Sequence, residues 1–201
     1  LFQMEKRRLT ISNRLLESLT QESLLDFFKD QRKIYFLSRK IELIEQKRYS
    51  LLWYILKNPA YATIFCNILK MGDFGQDILN TIASNLDFDG SNTALNIAVE
   101  LNCVEFIKLW SQQMYPINLS NRLAFKPIHL AIYHGHLAAV NELIRAGANL
   151  GVDWKGYSLL HYAVNCNGDL SHIGVICRLL KAGVDINEPL RPENNATVLF
   201  L

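Results

Sequence analysis

Residues 126–135 read KPIHLAIYHG, and two other stretches repeat this pattern: residues 93–102 read TALNIAVELN and residues 158–167 read SLLHYAVNCN. Each stretch has a polar residue, two further positions, His or Asn, one variable position and then an apolar residue, mostly Ala. The three starts follow one another at intervals of 33 and 32 residues. A repeat of this length predicts stacked helix-turn-helix units.

A second apolar run follows each stretch, and two of these runs end in nearly the same text. RAGANL covers residues 145–150 and KAGVDIN covers residues 181–187. Gly147 and Gly183 each follow a helical run, where a left-handed backbone commonly ends a helix and favours glycine. Each unit is therefore expected to contain two helices. A single unit cannot bury its apolar face, so neighbouring units must stack.

These residues resemble the ankyrin-repeat family, whose pattern reads T-P-L-H-x-A, then G-H, then L-L-x-x-G-A-D. The fullest similarity covers residues 126–149, and a second covers residues 158–185. A third unit begins at Thr93 and lacks the closing glycine, and a fourth begins at Thr197. The resemblance implies an all-α fold, an ankyrin-repeat solenoid of stacked helix-turn-helix units with an N-terminal helical cap region.

The expected organisation has three parts. Residues 1–48 form an N-terminal helical region, residues 49–88 a helical region, and residues 89–201 the repeats. The repeat boundaries are expected at about 89–120, 121–152, 153–187 and a partial 188–201. Residues 50–72 are either a degenerate repeat or an ordinary helical pair. The chain neither begins with Met nor ends at a helix stop, which suggests a fragment of a longer protein.

Residues 22–48 place apolar side chains at helical spacing with charged residues between them. This pattern predicts a long amphipathic helix with Thr20 as its N-cap. Its expected role is to cap the open end of the stack, because terminal repeats need a polar outer face. The alternative is a helix that dimerises or binds a partner. A membrane-surface helix is disfavoured because Glu42 and Glu45 lie among the basic residues.

The composition disfavours several classes of protein. Half of the residues are hydrophobic and the formal net charge is +2, so neither disorder, a nucleic acid partner nor an anionic membrane is indicated. No apolar run approaches the ~18 residues of a membrane span. The opening LFQMEKRRLT has no signal-peptide core, so a cytoplasmic location is expected. Buried, reduced thiols are expected at all four cysteines: Cys66, Cys103, Cys166 and Cys177.

Catalytic signatures of the GxSxG, HExxH, GxxxxGK[ST] and GxGxxG types are missing from the sequence. We therefore expect a protein that is not an enzyme and that takes no cofactor and no metal. A zinc site is the weak alternative, and its candidate ligands are His161, Cys166, His172 and Cys177, whose spacing matches no common zinc finger. A Cys166–His172 nucleophile pair would lack an orienting acid. The repeat pattern instead places His161 in a turn and Cys177 facing the core.

The resemblance also implies a function, because ankyrin repeats bind proteins through a concave face formed by turn tips and first helices. Carried over residue by residue, it implies protein-binding positions at Glu100, Leu101, Arg122, Leu123, Phe125, Tyr133, His134, Trp154, Lys155, Tyr157 and Asn165. Four of these are aromatic, a residue type that is enriched at binding hot spots. Trp154 is the strongest single candidate, whereas Phe125 and Tyr157 have the alternative of folding back against neighbouring helices.

The expected function is a protein–protein interaction scaffold. The alternative is a recognition or regulatory module of a longer multidomain enzyme or secreted bacterial effector, with its catalytic part outside this fragment. The irregular repeats and helical N-terminus are similar in style to ankyrin proteins that intracellular bacteria deliver into host cells, which would make the partner a host cytosolic protein. A third hypothesis places catalysis within residues 1–88.

Overall fold

The computed structural model describes residues 4–5, 8–9, 20, 22–23, 26, 40–42, 48–84, 92–153, 155–165, 170–187 and 197. The chain divides into two compact units, residues 1–97 and residues 98–201. Among the described residues, none of the helices combines the length and the apolar character that a membrane crossing requires.

Among the described residues of the first unit, four short strands form two antiparallel pairs. Strand β1 (Met4–Glu5) pairs with β2 (Arg8–Leu9), and β3 (Lys40–Glu42) pairs with β4 (Arg48–Ser50). The prediction of one continuous helix over residues 22–48 is therefore wrong at β3 and at the start of β4. Both segments have one apolar or aromatic residue between two polar ones, a pattern too short to distinguish a helix from a strand.

Thr20 caps a helical segment, as the sequence predicts. Its Oγ1 accepts the backbone N–H of Ser23 at 3.2 Å, and the Ser23 Oγ accepts the backbone N–H of Thr20 at 2.8 Å. This reciprocal pair satisfies two backbone donors at the start of a helix. Residues 22–23 and 26 are helical. The remainder of the predicted helix up to β3, and with it the proposed capping or partner-binding role, lies outside the described residues.

Three helices follow in the first unit: α1 (Leu51–Lys57), α2 (Pro59–Leu69) and α3 (Gly72–Ser84). Ser50 begins α1, where its Oγ accepts the N–H of Trp53 at 3.2 Å, and Asn58 caps α2 through the N–H of Ala60 at 3.0 Å. Helix α2 packs against both α1 and α3. The core between them is apolar and fully buried, with Leu52, Ile55, Phe65, Ile68 and Ile78 at its centre. Two helices thus occupy the residues predicted as a degenerate repeat or a helical pair.

The described part of the repeat region contains three helix pairs: α4 (Ala94–Glu100) with α5 (Val104–Gln112), α6 (Pro127–Tyr133) with α7 (Leu137–Arg145), and α8 (Leu159–Asn165) with α9 (Leu170–Lys181). In the second unit, α6 packs on α7 and α8 packs on α9. Across repeats, α6 packs on α8, and α7 packs on both α5 and α9. The predicted stack of helix-turn-helix repeats is confirmed.

Small residues and glycines occupy the positions that the repeat pattern gave them. Ala131 and Ala163, the alanines of the repeated pattern, are buried. Gly147 has a φ of +85° and Gly183 a φ of +90°, so both end their helices in the left-handed conformation.

At the start of each first helix a side chain accepts a backbone N–H, but not always from the same position. Ser158 Oγ accepts the N–H of His161 at 3.2 Å, and Thr93 Oγ1 does the same for Asn96 at 3.2 Å. In the second repeat the side chain of Lys126 makes no such bond, and the ring of His129 accepts the backbone N–H of Lys126. These bonds satisfy backbone donors that a helix start leaves unpaired.

The cysteines are less uniformly buried than predicted. Cys66 is buried, Cys103 is half-buried and Cys177 is exposed. The prediction that Cys177 faces the core is wrong, because α9 buries Val175 and Leu179 and a residue midway between them lies on the opposite side of the helix. Cys166 lies outside the described residues.

Candidate functional site

The turn before α6, residues 121–125, is held by one buried side chain. The backbone of Asn121 bonds in both directions: its N–H donates to the carbonyl of Phe125 at 2.9 Å, and its carbonyl accepts the N–H of Ala124 at 2.9 Å. The Asn121 Oδ1 accepts the N–H groups of Leu123 and Phe125, at 3.0 and 2.9 Å. Ala124 has a φ of +63°. The side chain thus replaces the missing secondary-structure partners of two backbone donors.

The turn before α8, residues 153–157, repeats this arrangement. The Asp153 N–H donates to the carbonyl of Tyr157 at 3.0 Å, and the Asp153 carbonyl accepts the N–H of Gly156 at 3.1 Å. The Asp153 Oδ1 accepts the N–H groups of Lys155 and Tyr157, both at 2.8 Å. Gly156 has a φ of +81°. Every bond has its counterpart in the preceding repeat, so the two turns present corresponding positions to solvent.

Asp153 also connects its turn to α8. Its second carboxylate oxygen accepts the hydroxyl of Tyr162. Burial acts to raise the pKa of Asp153, but the bonds from Tyr162 and from the N–H groups of Tyr157 and Lys155 together hold that pKa below its ordinary value. Burial and the bond to Asp153 raise the pKa of Tyr162. At neutral pH the carboxylate is therefore ionised and the phenol protonated.

A cluster of rings joins the two turns to the first helices. Phe125 meets Tyr162 edge-to-face with ring centroids 5.9 Å apart, and His129 lies 5.3 Å from the same tyrosine. Tyr157 stacks on His161, with centroids 4.6 Å apart and planes inclined by 16°. Both aromatic turn residues are half-buried, so each contacts a helix residue while keeping part of its surface accessible.

The two turns and α8 line a groove of about 810 Å³. Phe125, Tyr157 and Tyr162 contribute three aromatic rings to its wall, and Leu123 is 64% exposed. Two exposed cations, Arg122 and Lys155, belong to the lining. The full lining is Arg122, Leu123, Ala124, Phe125, Asp153, Lys155, Tyr157, His161 and Tyr162. The arrangement offers apolar contact area beside positive charge.

The structure brings together part of the predicted binding set. Five predicted residues line the groove: Arg122, Leu123, Phe125, Lys155 and Tyr157. Five others lie outside its lining: Glu100, Leu101, Tyr133, His134 and Asn165. Trp154, the strongest candidate from sequence, lies outside the described residues. Four lining residues were not predicted: Ala124, Asp153, His161 and Tyr162. A signal for Asp153 existed, because Asp153 and Asn121 each stand four residues before an aromatic residue.

Two predicted binding residues outside the groove lining, Tyr133 and His134, lie at the end of α6. Tyr133 is 57% exposed, and its ring meets that of His134 edge-to-face at 5.2 Å. His134 stacks on His136 at 5.4 Å, and burial together with the neighbouring imidazole lowers the pKa of His134. His136 donates from Nε2 to the carbonyl of Glu100 at 3.1 Å, because a carbonyl can only accept. Burial raises the pKa of the Glu100 carboxyl.

His172 makes the same kind of bond and is buried. Its Nε2 donates to the carbonyl of Tyr133 at 3.2 Å. His172 was a candidate zinc ligand and a candidate partner of a nucleophilic Cys166, and this bond gives it a structural role between repeats. Across the described part of the chain, no three His, Cys, Asp or Glu side chains are grouped so as to hold a metal ion.

His129 lies behind the groove and is almost fully buried. Its Nδ1 accepts the backbone N–H of Lys126 at 3.1 Å, which ties the ring to the start of α6. The proton of the neutral ring must then be on Nε2, and that nitrogen has no hydrogen-bond partner. Burial lowers the pKa of His129 to about 4. The ring is therefore neutral at physiological pH.

Comparison with known protein families matches residues 95–189 to ankyrin repeats, in three copies. The matched segment contains both turns, the groove between them and helices α5 to α9 complete. A comparison with curated proteins finds no match to the chain.

Proposed function

Residues 95–189 belong to the ankyrin-repeat family, and we propose from this that the protein binds a partner protein in the groove formed by its two corresponding turns. Ankyrin repeats are in general modules of protein–protein interaction and are typically non-catalytic. The observation that carries the proposal is the groove lining, which combines half-buried aromatic rings, an exposed leucine and two exposed cations.

Rigidity of the turns supports binding at this position. Asn121 and Asp153 each accept two backbone N–H groups of their own turn. The backbone of both turns is therefore held in place before any partner binds. A binding surface that is already ordered loses less conformational entropy on association. Aromatic residues and arginine are also the residue types that dominate binding energy in protein interfaces. We include Trp154 in the proposed surface because it lies between two lining residues in the sequence.

The proposed surface extends from the groove toward the ends of the first helices. There we place Glu100, Leu101, Tyr133, His134 and Asn165, which correspond to the concave face of ankyrin repeats. Tyr133 supports this extension, since 57% of this large aromatic residue is exposed. We propose no nucleic acid, membrane or metal as a partner.

From the irregular length of the repeats we also propose where the protein acts. The start-to-start interval lengthens to 39 residues between Ser158 and Thr197, compared with 32 in the preceding repeat. Irregular repeats are a feature that this chain shares with secreted bacterial effectors. In that setting the chain acts in the cytoplasm of a host cell on a host protein, as a recognition module whose catalytic part lies elsewhere in a longer protein.

The test is capture of binding proteins from eukaryotic cytosol on the immobilised 201-residue chain, quantified by mass spectrometry. Leu123→Ala removes an exposed leucine from the groove, and Ile173→Ala is its control because it removes an exposed aliphatic side chain outside the lining. We expect a partner bound by the wild type to be lost with Leu123→Ala and retained with Ile173→Ala. Equal retention by both variants contradicts the groove assignment. Tyr133→Ala then tests whether the surface extends to α6.

A further inference from the structure

The groove differs in charge from the unit that contains it. Residues 98–201 carry eight Lys+Arg and eight Asp+Glu, so the unit as a whole is neutral. Three of those cations, Arg122, Lys126 and Lys155, lie in the two turns or directly after one of them, whereas Asp153 is the single acid there. This part of the surface is therefore locally positive.

Asp153 offsets only one of these three positive charges. It is only 7% exposed, and its carboxylate accepts three hydrogen bonds, two from backbone N–H groups of its own turn and one from the hydroxyl of Tyr162. Charge-assisted hydrogen bonds of this kind hold the carboxylate within its own turn and next to α8. Arg122 and Lys155 are exposed and line the groove.

The apolar part of the groove adjoins these cations. Leu123 is the neighbour of Arg122 in sequence, and Tyr157 lies two residues after Lys155. Apolar walls reduce the screening of nearby charges by water. The electrostatic attraction of a ligand of opposite charge is therefore stronger, which favours its association. The groove lining thus contains both cations and both apolar side chains.

We infer that the groove takes an acidic segment of a partner protein, a short extended peptide in which Asp or Glu lies next to an apolar or aromatic residue. The carboxylates pair with Arg122 and Lys155, and the apolar side chain packs on Leu123 and Tyr157. This inference rests on the proposed function and adds the chemistry of the ligand to it.

The experiment is selection of random dodecapeptides displayed on phage against the complete 201-residue chain. Arg122→Gln/Lys155→Gln removes the two groove cations, and Lys70→Gln/Lys181→Gln is the matched control because it removes two exposed cations outside the lining. Circular dichroism checks that all variants keep the same helicity. We expect the wild type and the control to enrich peptides with more Asp and Glu than the starting library, and the groove variant to lose that excess.

The contribution of the acidic residues to affinity is then measured by fluorescence anisotropy with a labelled copy of one enriched peptide. Replacing its acidic residues by their amides is expected to weaken binding to the wild-type chain about 10-fold, as for a few partly screened charge pairs. The same replacement should change binding to Arg122→Gln/Lys155→Gln by less than about 2-fold. The affinity of the acidic peptide should also fall between about 50 and about 200 mM NaCl.

Two other outcomes separate the inference from the proposed function. Enriched peptides that are neutral or basic, and that lose binding with Leu123→Ala, overturn the acidic ligand while the groove remains a binding site. Enrichment of no peptide, or binding that Leu123→Ala leaves unchanged, overturns the groove as a site and the acidic ligand with it.

Discussion

The Nε2 of His172 donates to the carbonyl oxygen of Tyr133 at 3.2 Å, and this bond repeats the one that His136 makes to Glu100 at 3.1 Å. The two partners are 39 residues apart in the first bond and 36 in the second. The longer third repeat therefore changes the spacing in sequence without removing the contact between repeats. Each bond joins the start of the second helix of one repeat to the end of the first helix of the preceding repeat.

Replacing His172 by Ala should lower the free energy of unfolding by about 1–2 kcal/mol, because the repeat stack loses a buried hydrogen bond and a buried ring. Chemical denaturation monitored by circular dichroism measures the change. His134→Ala is the control, since His134 is an exposed histidine at the end of α6, and it should cost less than about 0.5 kcal/mol. Equal costs for the two variants would show that the His172 bond adds no stability.

Acidification should destabilise the fold through His129. Its pKa is about 4 in the folded chain and 6.5 in its ordinary state, so the unfolded chain binds a proton in this interval that the folded chain does not. Stability is then complete above pH 6.5 and falls as the pH drops toward 4. The loss between about pH 7 and about pH 5 should be about 1.5–2 kcal/mol. Urea denaturation at the two pH values measures it.

The matched comparison for this pH dependence is His129→Gln against His134→Gln. Glutamine at position 129 removes the titrating group, so the difference in stability between the two pH values should shrink by most of the expected loss, whatever the stability at pH 7. Glutamine at position 134 should leave most of that difference, because the pKa of His134 is lowered less than that of His129. If His129→Gln keeps the wild-type dependence on pH, another group causes it.

The turn before α8 should tolerate an amide better than a methyl group at position 153. Asn121 performs the same task in the preceding repeat with one amide oxygen, so Asp153→Asn should keep the bonds to Lys155 and Tyr157 and cost about 1 kcal/mol or less. Asp153→Ala leaves these donors and the Tyr162 hydroxyl without their acceptor and should cost about 2–3 kcal/mol. The denaturant midpoints of the two variants measure the difference in stability. Equal midpoints would contradict a dependence of the turn on the Oδ1 of residue 153.

The helices of the repeats could be predicted from sequence because their signals are local. The glycines at 147 and 183 and the alanines at 131 and 163 each stand at a fixed offset from the repeated motif, and each has the conformation or burial expected there. The groove could be predicted only in part. The turn positions follow from the repeat pattern, but the bond from Tyr162 to Asp153 joins two side chains nine residues apart, which no periodicity encodes.

The errors have physical causes as well. Strand β3 reads KIE and β4 reads RYS, and three residues satisfy the helix period and the strand period equally well. Cys177 was placed in the core because it lies within an apolar run. A run that is apolar on several sides does not fix the rotation of its helix, and packing against α7 and α8 decides which residues of α9 are buried.

Two glycines should respond very differently to a single added methyl group. At Gly147 a Cβ would meet nothing within 4 Å, so Gly147→Ala has only the strain of a φ of +85° and should cost about 1 kcal/mol. At Gly75, within α3, the Cβ would stand 2.2 Å from the carbonyl oxygen of Leu69, which belongs to the backbone and cannot move aside. Although alanine favours a helix by about 1 kcal/mol over glycine, Gly75→Ala should therefore lower stability by about 2–3 kcal/mol. Thermal denaturation of both variants measures the contrast, and a Gly75→Ala chain as stable as the wild type would mean that α2 and α3 approach less closely than described.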